Sequence, residues 1–159
     1  MFIRSFILLC LLTGFHAFAH QAATDSLLQV IPSLPDTQKI STYFEICREL
    51  VGQDKAGALD AANKALTIAR QNGDPRWIAR AMNIMVACLQ IHGEMKDAYE
   101  MAQSAVSYAE KSNNNITLLE SYGLLSNAYG LNSEWDKALI YGDKSRQVAE
   151  AIQYTLGML

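Results

Sequence analysis

The stretch from Tyr122 to Ala138, YGLLSNAYGLNSEWDKA, decides the fold. Its apolar and aromatic residues recur at intervals of three and four as far as Tyr129, which is the spacing of one buried helix face. A second helical pattern begins near Trp135 and places the small residue Ala138 on its inner face. The stretch therefore predicts two helices joined by a tight turn.

The same pattern occurs three times along the chain. Shifting the sequence by 40 residues aligns Ala58 with Ala98 and Ala138, and small residues there let two helices approach closely. Five further columns fall in register: Leu59/Tyr99/Leu139, Ala62/Ala102/Gly142, Ala65/Ala105/Ser145, Ile68/Tyr108/Val148 and Ala69/Ala109/Ala149. A stripe for a preceding helix accompanies each unit: Tyr43, Ile46, Cys47, Leu50; then Met82, Met85, Val86, Leu89; then Tyr122, Leu125, Ser126, Tyr129. Three helical hairpins follow.

Capping signals give the boundaries of these helices. Asp54 and Asp74-Pro75 are typical of helix starts, and Gly73 is typical of a helix stop. Thr117…Glu120 and Ser133…Asp136 fit capping boxes. The predicted helices cover residues 37–51, 54–71, 75–91, 94–112, 117–131 and 134–154, with Tyr129 and Trp135 filling the spaces between helices.

These residues resemble the tetratricopeptide-repeat (TPR) family. Tyr122-x2-Leu125-Ser126-x2-Tyr129 followed by Ala138 is similar to the family signature, and residues 93–98 and 133–138 resemble its turn. The repeat of 40 residues is longer than the usual 34, the first unit has a shorter turn, and no unit has the closing proline. The resemblance implies an all-α, right-handed superhelical array of three antiparallel helix hairpins, at residues 37–73, 74–114 and 115–154.

The resemblance also implies a function in binding a protein or peptide. In the family, the first helices of the pairs line a concave groove, and asparagine amides there suit a peptide backbone while arginines suit a carboxylate. The alternative is that these side chains form only a solvated face. The family's carboxylate clamp is absent, because its positions hold Phe44, Ile84, Glu120 and Leu124. The candidate groove residues are Phe44, Arg48, Arg80, Asn83, Gln90 and Asn127.

The two ends of the chain differ from the repeats. Residues 1–19 have one charge, Arg4, then an apolar run and the small-x-small site Ala17-Phe18-Ala19, which predicts a cleaved signal peptide and an exported, periplasmic or extracellular protein. An uncleaved anchor is the alternative. Residues 20–36 form a lead-in with a short helix at Ser26–Ile31, and residues 155–159 read as the start of a further, truncated repeat.

The rest of the composition argues against several kinds of site. The net charge of −3 would become −4 on loss of Arg4, which does not suggest a nucleic-acid or membrane surface. The histidines are scattered and no catalytic motif occurs, so we expect no catalytic residue, metal or cofactor. Cys47 and Cys88 are predicted to be buried free thiols, with a disulfide as the alternative.

The amino-acid sequence leaves two functions open. The first is a non-catalytic scaffold or interaction module. The second is the periplasmic input region of a two-component histidine kinase or transcription regulator whose membrane and output domains are missing from this chain, because long-repeat exported TPR arrays resemble such regions. The partner, the oligomeric state and the choice between these functions are not given by the residues.

Overall fold

The computed structural model describes residues 24–156, with side chains as far as Gln153. The predicted signal peptide at residues 1–19 lies outside these residues. Within residues 24–156, six long helices follow a helical lead-in at residues 24–30 and a 3-10 turn at Ile31–Ser33. They are α1 (Asp36–Leu50), α2 (Lys55–Asn72), α3 (Pro75–Ile91), α4 (Met95–Lys111), α5 (Asn115–Leu131) and α6 (Trp135–Leu156). Each predicted helix boundary lies within two residues of the observed one.

Local signals explain most of these boundaries. The Asp54 carboxylate accepts a hydrogen bond from the Gly57 backbone N–H at 3.0 Å and begins α2. Gly73 ends that helix with a φ of 77°, in the left-handed region that favours glycine. Asp74 then accepts from the Arg76 N–H at 2.8 Å, and Pro75 occupies the first turn of α3.

The two predicted capping boxes are wrong. Asn114 caps α5, because its side-chain oxygen accepts from both the backbone N–H and the hydroxyl of Thr117, each at 2.9 Å. Thr117 therefore lies inside the helix and is 1% exposed. Ser133 adopts a left-handed φ of 61° in the turn, and α6 begins at Trp135. At α5, Asn114 is as good a capping residue as Thr117, so the helix starts earlier than a cap at Thr117 would place it.

The helices pack as a tandem array of three antiparallel hairpins, α1/α2, α3/α4 and α5/α6. The second helix of each hairpin also packs on the first helix of the next. In addition α3 contacts both α1 and α5, whereas within the described chain the backbones of α2, α4 and α6 do not approach one another. The first helices therefore lie on the inner side of the array's curve. This architecture confirms the predicted all-α, TPR-like solenoid.

The core runs through the array, because each cluster of buried residues draws on two neighbouring hairpins. The alanine columns are buried where a hairpin follows: Ala58, Ala62, Ala65, Ala98, Ala102 and Ala105 are at most 1% exposed. In α6, by contrast, Leu139 is 70% exposed and Ala138 is only half-buried. Trp135 is 64% exposed, so the prediction that it fills a space between helices is wrong. A single helix pair cannot enclose such a side chain without a neighbour.

The C-terminal helix continues further than expected. α6 runs to Leu156, beyond the predicted end at residue 154. The remainder of the predicted further repeat, residues 157–159, lies outside the described residues.

Candidate functional site

The inner helices α1, α3 and α5 form a groove that contains two adjacent cavities. The first cavity, about 470 Å³, lies between α1 and α3. The second, about 420 Å³, lies between α3 and α5. Both are lined by Phe44, Arg80, Ile84 and Ala87, so these residues separate the cavities and join them into one surface.

The first cavity has apolar walls and an ion pair at its side. Phe44 and Ile84 contribute apolar surface, and Arg48 lies at the side of the cavity. Arg48 forms an ion pair with Glu45, one turn earlier on α1. Since both side chains are exposed, this pair leaves little net charge at that edge of the groove.

Arg80 is held between aromatic rings. Its guanidinium carbon lies 5.5 Å from the centre of the Phe44 ring and 5.0 Å from that of the Trp77 ring, which are cation–π distances. Among residues 24–153, no carboxylate lies within ion-pair distance of Arg80. The rings fix the direction of the side chain while its N–H donors stay free of any carboxylate of the described chain.

Three polar side chains line the second cavity, Arg80, Asn83 and Glu120, and Asn83 is the buried one. It is only 5% exposed, and its Oδ1 accepts a hydrogen bond from the Ser121 hydroxyl at 3.0 Å, which connects α3 to α5. Its Nδ2 is buried and has no hydrogen-bond partner in the described part of the chain. Buried amide groups are rarely left unpaired, since losing their hydration costs about 1–3 kcal/mol.

Gln90 and Asn127 are paired with each other further along the array. The Asn127 amide donates to Gln90 Oε1 at 3.0 Å, and Gln90 Nε2 donates to the Leu124 carbonyl at 3.4 Å. Neither residue lines the two cavities. Their polar atoms tie α3 to α5 at the edge of the groove.

The structure thus brings together four of the six candidate residues around the two cavities: Phe44, Arg48, Arg80 and Asn83. Ile84, which lines both cavities, was not among the candidate residues, although it occupies one of the family's clamp positions. Its position four residues after Arg80 on the same helix face was the signal that would have identified it. Cys47 and Cys88, which also line the first cavity, are buried free thiols as expected.

Across the described residues, no group of three or more His, Cys, Asp or Glu side chains is arranged to hold a metal ion. Within the same part of the chain, no helix has the length and apolar character needed to cross a bilayer.

Comparison with known proteins gives matches at the level of structure. No protein-family model and no curated protein matches the chain. The TPR domain of Arabidopsis FLU superposes with a TM-score of 0.62 at 21% identity, over 74% of this chain and 99% of that domain. Apo RapI gives a TM-score of 0.73 at 19% identity, over 87% of this chain. A Rap protein complexed with Competence and Sporulation Factor gives 0.71 at 20% identity, over 86% of this chain.

The extent of these matches differs between the neighbours. The chain spans nearly the whole FLU domain, but 53% of RapI and 39% of the complexed Rap protein. At identities near one fifth, such similarity establishes architecture. The chain therefore has a TPR-like fold.

Proposed function

We propose that the chain is a non-catalytic interaction module that binds an extended segment of a partner protein in the groove of α1, α3 and α5. The observation that carries this proposal is the buried, unpartnered Nδ2 of Asn83 beside the second cavity. A backbone carbonyl of a bound segment would accept from that N–H and remove the cost of leaving it unpaired. Binding to proteins rather than nucleic acid also agrees with the negative net charge.

The surroundings of Asn83 define what the segment should offer. The cavity walls include Phe44, Ile84 and Leu124, which suit an aliphatic side chain. Arg80 lines both cavities and suits a carboxylate of the segment, because its guanidinium is oriented by the rings and has no carboxylate partner within the described chain. Since Glu120 also lines the second cavity and repels a carboxylate, we expect the acidic residue of a bound segment to lie in the first cavity and an aliphatic residue in the second.

The fold comparison supports this proposal indirectly. One of the matching structures is a Rap protein complexed with Competence and Sporulation Factor. A related architecture has therefore been observed together with a bound factor. The proposal for the present chain still depends on its own groove residues.

The amide of Asn83 should matter more than the amide of Asn127. We expect Asn83→Ala to weaken binding of a groove peptide about tenfold, or about 1.4 kcal/mol, through loss of one buried hydrogen bond. Asn127→Ala should change it less than twofold, because that amide donates to Gln90 and lies outside both cavities. The probe is a fluorescent peptide selected from a random display library on the full chain, with its Kd measured by anisotropy.

A control distinguishes a loss of peptide binding from a loss of folding. Circular dichroism melts of both variants show whether either loses structure. Equal losses for the two asparagines, or no loss for Asn83→Ala in a folded variant, would contradict the assigned contact. A library that yields no binding peptide would contradict the function itself.

Export remains part of the proposal and concerns residues 1–19. When the full chain is expressed in a bacterium with a periplasm, we expect cleavage after Ala19 and a mature protein beginning at His20. Ala19→Phe should block cleavage because the peptidase requires a small residue there, while Ser5→Ala should have no effect. Intact mass of the periplasmic and membrane fractions measures both. A wild-type chain that stays uncleaved in the cytoplasm would contradict the proposed export.

A more specific version of this proposal is that the chain is the input region of a histidine kinase or transcription regulator. The groove would then receive the signal, and output would require domains not present in this sequence. Sequencing the genomic reading frame beyond Leu159 tests it: a membrane span followed by a kinase or DNA-binding domain would support it, and an immediate stop codon would exclude it.

A further inference from the structure

Two cysteines from different hairpins meet in the floor of the first cavity. Cys47 lies on α1 and Cys88 on α3, and they are 1% and 2% exposed. Their sulfur atoms are 2.7 Å apart, although the residues are separated by 41 positions in sequence. A disulfide bond is about 2.05 Å long, so little movement separates the contact from a bond.

We propose that Cys47 and Cys88 are a redox-active pair that forms a reversible disulfide between the first and second hairpins. Two features make this pair different from ordinary buried thiols. The sulfur atoms contact each other, and both residues line the 470 Å³ cavity of the groove. The proposal does not depend on what the groove binds.

The local chemistry favours exchange at Cys88. The hydrogen bond between the sulfurs lowers the pKa of Cys88 and raises that of Cys47. Arg80, which has no carboxylate partner in the described chain, lines the same cavity, whereas Arg48 there is paired with Glu45. We assign the first attack to Cys88, and the disulfide formed is the same if Cys47 attacks first.

The reaction needs an oxidant, which we take to be a low-molecular-weight disulfide such as oxidised glutathione. The Cys88 thiolate attacks one sulfur of the reagent, forms a mixed disulfide and releases one glutathione thiolate. Cys47 then loses its proton to solvent, attacks the Cys88 sulfur and releases the second thiolate. The two protein thiols together lose two protons and two electrons, and the reagent is reduced to two glutathione molecules.

The bond should stabilise the array. It would close a loop of 41 residues that includes all of α2 and most of α3, which restricts the unfolded chain. For a loop of this length in a domain of this size, we expect the oxidised form to melt about 10 °C higher than the reduced form.

The direct test is refolding of the full chain from denaturant in glutathione buffers of increasing oxidised fraction, followed by acid quenching, alkylation and trypsin digestion. Refolding exposes both thiols, so burial does not prevent equilibrium. Cys47 and Cys88 fall in the separate peptides 40–48 and 81–96, whereas Cys10 falls in 5–39. We expect a cross-linked 40–48/81–96 species, in buffers where the Cys10 peptide remains a thiol or a glutathione adduct.

Thermal melting with and without reductant gives the second readout. The mapped, oxidised wild type should lose about 10 °C on reduction. Cys88→Ala should show no reductant-sensitive melting and no cross-linked peptide. Free thiols or single glutathione adducts on both peptides in the most oxidising buffer, or a cross-link to Cys10 instead, would overturn the proposal.

Discussion

Replacing Leu125 by Ala should lower the free energy of unfolding by about 3 kcal/mol, within the range of about 2–5 kcal/mol for buried leucines. Leu125 is 1% exposed and belongs to the cluster that joins the second hairpin to the third, with Val86, Val106 and Tyr129. The truncation removes apolar contacts and leaves a cavity that the surrounding helices cannot fully close. Urea unfolding followed by circular dichroism measures the loss.

Leu131 provides the matched control. It lies on the same helix and is 51% exposed, so Leu131→Ala should change the stability by less than about 0.5 kcal/mol. In a repeat array, interface terms hold neighbouring units together. Hydrogen exchange of Leu125→Ala should therefore show α5 and α6 opening before α1 and α2. Equal losses for the two leucine variants would contradict the assignment of Leu125 to the interface.

The fold was predictable because each repeat has small residues at the same positions. Alanine columns at Ala58 and Ala98 require close helix approach wherever they occur, and this requirement does not depend on distant contacts. Capping residues such as Asp54 and Asp74 act within one turn, so they could also be read locally. Helix boundaries therefore came within two residues of those observed.

Properties that depend on neighbours were not predictable in this way. Leu139 occupies the same column as Leu59, yet it is 70% exposed because no helix of the described chain covers that face of α6. The meeting of Cys47 with Cys88 depends on how two hairpins stack, which a column alignment does not specify. The same applies to the groove, where stacking pairs Asn127 with Gln90 and leaves one amide N–H of Asn83 unpaired.

The alanine columns themselves give the last prediction, Ala98→Trp. Ala98 is 1% exposed, and its cluster includes Cys88, Leu89 and Met85 of α3 as well as residues of the first hairpin. An indole there must push α4 away from these neighbours, because the interior has no space for it. We expect a loss of about 3 kcal/mol, or roughly 10 °C in melting temperature.

Ser107→Trp tests whether that loss comes from overpacking rather than from tryptophan in α4 as such. Ser107 is exposed on the same helix, so an indole there reaches solvent and should change the melting temperature by no more than about 2 °C. Ala98→Trp should also reduce the free energy of binding of the groove peptide by less than it reduces the free energy of unfolding. The reason is that α4 lies behind α3 and does not line either cavity. An Ala98→Trp protein that melts like the wild type would show that the column does not hold the helices in contact, and the 40-residue register would have to be reassigned.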